Sequence, residues 1–310
     1  MKTLQLLLLI PLWGYSQNAT LKSPDELFPV IHWNSQSAVK NQGAKNTCSA
    51  FGVAAALETF NGVPNDLSEK YLYAIQKVND RLANKKTTDG QFLISYPNAL
   101  ITDGVITESE LPYNPEALKN WYKTDNELSK ALEGAGIGFM KLLMEYRPKA
   151  KIFLNGYEYL DRIPCKNTEY LKSLLKNGVK AIPVSYEVYL PAWKKYRSIQ
   201  LNTITPDPGY SVITKTGQYM PFSAMTKIYP TGFAEKLIAG EFNIVRNDQT
   251  PNQYFGHVVT IIGYDDQGFI IKNSWGPDWR MNGYERVSYD FHKLFAYEAL
   301  IIKSLTIKNY

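Results

Sequence analysis

Cysteine 48 is the first residue whose type and position could carry covalent chemistry. It sits in VKNQGAKNTCSAFGVAAALE, residues 39 to 58, five residues after Gly43. Behind it runs a stretch with Ala50, Phe51, Ala54, Ala55 and Leu57 that reads as a helix. Thr47 stands where an N-cap would stand, and Asn61-Gly62 offers a stop. The first residue of a helix meets free N–H groups and the positive end of the dipole. A thiolate is an anion, so this placement is expected to lower the Cys48 pKa and make a better nucleophile. Most free cysteines are nevertheless buried structural thiols. A catalytic reading needs a base and an orienting group. Both are available far downstream, in Gly256-His257-Val258-Val259 and in Asn273-Ser274-Trp275-Gly276.

Such a constellation needs elements that bring distant segments together. Residues 67–83, 92–103, 116–133 and 168–176 read as helices, the second ending at Asp103-Gly104. Strand patterns follow at Lys151–Leu160, Ala181–Tyr186, His257–Gly263, Phe269–Lys272 and Ala299–Ile307. A mainly helical half followed by a strand-rich half is an α+β pattern.

Composition narrows the classes. At 310 residues the chain can bury a sizeable core, as one large domain or two lobes. The formal charge of +5 is spread among acids and aromatics, which favours an ordinary solvated surface over a nucleic-acid site. Lys2, the apolar run Leu4–Trp13 and the small residues of Gly14-Tyr15-Ser16-Gln17 read as a signal peptide over residues 1–17. That run is too short to span a bilayer, and no later segment is apolar enough to do so. The expectation is an exported, periplasmic or extracellular protein. The two cysteines are Cys48 and Cys165. One disulfide between them would consume the proposed nucleophile, so Cys165 is read as a free, buried thiol.

QGAKNTCSAF resembles the active-site segment of papain-like cysteine peptidases, usually Q-G-x-C-G-S-C-W-A-F. GHVVTIIGYDDQGFIIKNSWGPDWRMNGY resembles their His and Asn segments, in the same order along the chain. Asp66-Leu67-Ser68-Glu69, and Asp103 to Glu108 leading to Leu111-Pro112-Tyr113, are weaker likenesses. The resemblance spans roughly residues 29 to 303. It implies a two-lobe fold, with a helical left lobe over about 40–145 and a barrel-like right lobe over about 146–310. Together they form one peptidase domain, 18–310, with the active site in the cleft between the lobes.

By the same resemblance Cys48 attacks a peptide carbonyl to form an acyl-enzyme, His257 moves the proton, and Asn273 orients the imidazole. Trp275 shields that hydrogen bond. Gln42 and the backbone N–H of Cys48 form the oxyanion hole. Gly90, in Thr88-Asp89-Gly90, is the remnant of a Gly-rich substrate-binding segment. Plainer readings stand beside these: a surface glutamine for Gln42, and a turn after a strand for Asn273 to Gly276. His32 is read as a surface or hydrogen-bonded histidine, and His292 as an exposed or capping one. No cofactor or metal is called for, and the expected partner is a peptide or protein substrate.

Departures from the pattern are Lys45 in place of a disulfide cysteine, Ser49 in place of Trp, and Arg280 after Trp279 in place of Gly. Residues 18 to 28 leave no room for a long inhibitory pro-segment, so direct activity after signal removal is expected. The segment 189–253 is a long, aromatic insertion. It either folds over one end of the cleft or decorates the right lobe. Besides a peptidase, the residues admit an inactive binding scaffold and an acyl transferase with the same triad.

Overall fold

The structure is a computed structural model that describes residues 29–82, 90–114, 137–194, 196–207, 209–247 and 251–308. The expected signal peptide and the expected helix at 116–133 lie outside them.

At the centre lies helix α1, Cys48–Leu57. Every residue from Ser49 to Leu57 is buried, because the run is small or apolar on all sides. Around it stand α2 (Glu69–Leu82), α3 (Tyr96–Thr102) and α4 (Ile137–Tyr146). The expected helix at 92–103 thus begins as a 3-10 turn at Leu93–Ser95, with Pro97 opening the α-helical part. One core joins these helices: Val53, Leu57, Leu67, Tyr71, Ile75, Tyr96 and Leu100 belong to it.

The second half is built on one large sheet. Its strands are β1 (Val30–Ile31), β2 (Ile152–Leu160), β3 (Ile182–Tyr189), β4 (Thr203–Ile204), β8 (Tyr254–Tyr264), β9 (Gly268–Lys272), β10 (Tyr284–Ser288) and β11 (Ala296–Ile307). Between β4 and β8 lie β5 (Tyr210–Ile213), β6 (Tyr219–Pro221) and β7 (Asn243–Arg246), which form a separate three-stranded sheet. The large sheet runs β2-β11-β3-β8-β9-β10-β4, with β1 on β8. Among the described residues this path does not close, so the strand-rich lobe is an open sheet and not a ring. Helices α5 (Thr168–Lys176), α6 (Phe222–Ile228), α7 (Phe233–Ile238) and α8 (Tyr289–Phe295) flank it. Asn167 caps α5 through its side chain, accepting from the Tyr170 N–H at 3.0 Å.

Strand β8 separates the two cores through its period of two. Val258 joins the helical core, while Val259 and Ile261 join the other. Helix α1 lies directly on β8 because Gly52 has no side chain. A Cβ there would stand 2.7 Å from Val258 Cγ1. This close approach sets Cys48, at the start of α1, beside the stretch of β8 that carries His257.

The insertion is an extension of the strand-rich lobe. Val212, Phe222, Met225 and Phe233 share the core of β3, β8 and β9. Tyr210 stacks on Phe295 with ring centroids 4.1 Å apart. Of its described residues, Leu190 lines the cleft.

A polar cluster ties the lobes. Lys40 Nζ lies 2.9 Å from Glu58, 2.8 Å from Asp66 and 2.6 Å from Glu69. Glu58 also accepts from the Leu67 N–H and the Ser37 hydroxyl. Lys272, on β9, donates to the Ser37 carbonyl at 2.8 Å. Burial alone would lower Lys40, but the surrounding carboxylates raise it. Burial pushes Glu69 up to about 8 and Lys272 down to about 8.

Candidate active site

A cleft of about 770 Å³ brings together Gln42, Cys48, Gly90, His257 and Trp275. Asn273 lies beneath it, buried. The sequence-expected site residues are thus placed in or directly under one depression.

His257 is 2 % exposed and its Nε2 is 2.8 Å from Asn273 Oδ1. The same Oδ1 accepts the Ser274 backbone N–H at 2.8 Å. That second bond fixes the amide orientation, so the imidazole donates through Nε2 and keeps Nδ1 as its basic nitrogen. Asn273 also donates its own backbone N–H to Gly283. Trp275 covers the imidazole at 4.6 Å between centroids, with a 32° tilt. Trp193 meets it at 6.0 Å in a T-shaped arrangement, and Phe255 lies at 6.3 Å. This apolar cover lowers the His257 pKa to about 4, against the opposing hydrogen bond to Asn273.

Cys48 is half-buried and free. The expectation of a lowered thiol pKa is not met. Burial pushes it up, against N–H groups of Val258, Ser49 and Cys48 that pull it down. Desolvation therefore outweighs the helix-start effect in this site.

Thr47 occupies the N-cap position of α1, but its side chain makes no cap bond. Its hydroxyl pairs with the Tyr113 hydroxyl at 2.8 Å, and Tyr113 donates to the Gln42 carbonyl at 2.8 Å. Tyr113 thereby ties the Leu111-Pro112-Tyr113 likeness to the site loop. Gln42 is buried, donates through Nε2 to the Lys45 carbonyl at 2.6 Å, and accepts from the Ser274 hydroxyl at 2.5 Å. It is not a surface glutamine. Ser49 is buried against the Tyr96 hydroxyl at 3.1 Å. Gly90 borders the cleft, and its carbonyl accepts from Lys77 at 3.1 Å.

The remaining histidines are structural. His32 Nε2 meets the Leu175 carbonyl at 3.0 Å. His292 is fully buried, contrary to the expected exposed residue. Its nitrogens meet the Tyr186 hydroxyl at 2.7 Å and the Cys165 carbonyl at 2.8 Å. Cys165 is free and buried as expected, its thiol pushed up to about 12 by burial. Among the described residues no group of three or more His, Cys, Asp or Glu could hold a metal ion. No described helix is long and apolar enough to cross a membrane.

Sequence reasoning missed Phe92, Ser185, Leu190, Phe255 and Tyr297 as cleft residues. No motif marks them; the Tyr297 hydroxyl fills the space that a side chain on Gly256 would need.

Residues 211–301 match the profile of the papain family of cysteine proteases. The solved structure of xylellain, a cysteine protease from Xylella fastidiosa, aligns over 87 % of this chain and 83 % of its own, with a TM-score of 0.51 and 20 % identity. The fold is papain-like. Among curated proteins, Gamete and mating-type specific protein A of Dictyostelium discoideum is 23 % identical over 275 residues, which is 87 % of this chain and 45 % of that protein. Mexicain of Jacaratia mexicana is 23 % identical over 264 residues, 83 % of this chain and 86 % of its own. The chain spans less than half the length of the first of these two relatives.

Proposed function

We propose that this protein is an exported cysteine peptidase that cleaves peptide bonds through Cys48, His257 and Asn273. The observation that carries the reading is the His257–Asn273 hydrogen bond, sealed under aromatic rings, in the cleft that Cys48 enters from the start of α1. Nδ1 of His257 takes the thiol proton as the sulfur attacks the substrate carbonyl. The imidazolium then gives that proton to the leaving amine. Water repeats the cycle on the acyl-enzyme. The developing oxyanion is met by the Cys48 backbone N–H and by Gln42, whose amide nitrogen carries a second hydrogen beyond the one given to Lys45. Export rests on the residues 1–17 pattern alone.

The test is peptide hydrolysis by the purified protein and three variants. Cys48→Ala is expected to abolish turnover while keeping the fold, since Ala suits a helix start. His257→Ala is expected to lose roughly 100- to 10,000-fold. Asn273→Ala is expected to lose less, because the base remains. A folded wild type without hydrolysis would favour a binding scaffold, and turnover retained by Cys48→Ala would sink the assignment.

A further inference from the structure

Arg280 holds φ at +51°, in the left-handed region that side chains other than Gly, Asn and Asp seldom adopt. Such a backbone persists only where the surroundings hold it. Here they do. The guanidinium donates to the Ala192 carbonyl at 2.5 Å and to the Tyr196 hydroxyl, and it lies 3.9 Å over the Tyr196 ring. It pairs with buried Glu285 at 3.3 Å. The Arg280 carbonyl accepts the Ser198 N–H at 3.0 Å. Beside it, Arg197 pairs with Asp278, and Trp279 Nε1 donates to the Trp193 carbonyl at 3.0 Å. Residues 192–194 and 196–198, where the long insertion leaves β3, are therefore fastened at several points to residues 278–280.

The ring held in place by this clip is Trp193. It is fully buried, stacks with Trp279 at 6.1 Å and meets Trp275 at 6.3 Å. It meets the His257 imidazole in a T-shaped arrangement at 6.0 Å, while Trp275 lies 4.6 Å from the same ring.

We propose that Arg280 and Trp193 are positioning residues: Arg280 locks the first turn of the insertion so that Trp193 holds the His257 ring against Asn273. This rests on the peptidase reading for its kinetic consequence, but not for its structural one. Imidazole placement governs a step in which a displacement of about 1 Å can cost a hundredfold in rate.

Three variants test it. Arg280→Gly combined with Glu285→Gln removes the clip, suits the backbone at positive φ, and leaves no orphaned carboxylate. Trp193→Leu keeps apolar volume and removes the aromatic ring, and Trp193→Phe restores a ring. In the first two, kcat is expected to fall on the order of tenfold or more with KM nearly unchanged, without a matching loss of thermal stability. Trp193→Phe is expected to recover most of the rate. The second readout is the NMR resonance of the His257 Nε2 proton. It should be slowly exchanging in the wild type and in Trp193→Phe, and broadened by exchange in the other two. An unchanged kcat and an unchanged resonance in folded variants would overturn the proposal. If the wild type cleaves no peptide, the peptidase reading fails, and the resonance alone decides whether the clip positions His257.

Discussion

Burial shifts the ionisation of the titratable side chains at the cleft and in the core. Helix-start logic points to a depressed Cys48 pKa, whereas the folded site buries the thiol and raises it. Phe92 and Tyr297 line the same cleft, and no local pattern brings them there. His292 makes the same point more sharply. Its sequence surroundings suggest a surface residue, yet Tyr186 and Cys165 enclose it, and burial lowers its pKa to about 3. The unfolded chain takes up that proton near 6.5. Between those values the unfolded state binds more protons, so this stabilising contribution is full above about pH 6.5 and is lost as pH falls. His292→Gln should therefore flatten the dependence of unfolding free energy on pH between 6.5 and 4, by about 1.4 kcal/mol per unit. Urea melts across that range check it; parallel curves for the two proteins would refute the linkage.

At the scale of elements, legibility followed the strength of local signals. Helix α5 matches its expected bounds because its apolar stripe and the Asn167 cap agree. Helix α4 was hidden by Gly134, Gly136 and Gly138, which read as breakers. The insertion resisted reading because its strands are short: Thr203–Ile204 exists only through pairing with distant β10, and Tyr219–Pro221 is three residues of a local hairpin with β5. The contact of α1 with β8 was equally invisible, since Gly52 shows its purpose only when β8 lies against it. Gly52→Ala should force the stiff Val258 side chain aside and cost about 1–3 kcal/mol. It should also lower peptidase activity by shifting Cys48 relative to His257. Adding Val258→Ala should recover part of both losses. Thermal melts and kcat for the single and double variants test this, and strict additivity would contradict it.

For the whole molecule, the arrangement of lobes depends on the Lys40 cluster as well as on apolar packing. Glu58 is almost fully buried and joins the N-terminal segment to the start of α2, while Ser37 passes the link to Lys272. Glu58→Ala would leave the Leu67 N–H and the Ser37 hydroxyl without their carboxylate, while Lys40 would keep Asp66 and Glu69. It should cost about 1–3 kcal/mol in a denaturant melt, and an unchanged melt would show that the cluster carries no such load.

The central claim is that one of the two thiols is a nucleophile served by His257. Alkylation by a peptidyl vinyl sulfone, followed by peptide mapping, tests it most directly. The account predicts a single adduct on Cys48 and none on Cys165. Its rate should fall as pH drops towards 4 and His257 takes a proton, and should drop roughly a hundredfold or more in His257→Ala. Labelling of Cys165, or an undiminished Cys48 rate in the His257 variant, would contradict it.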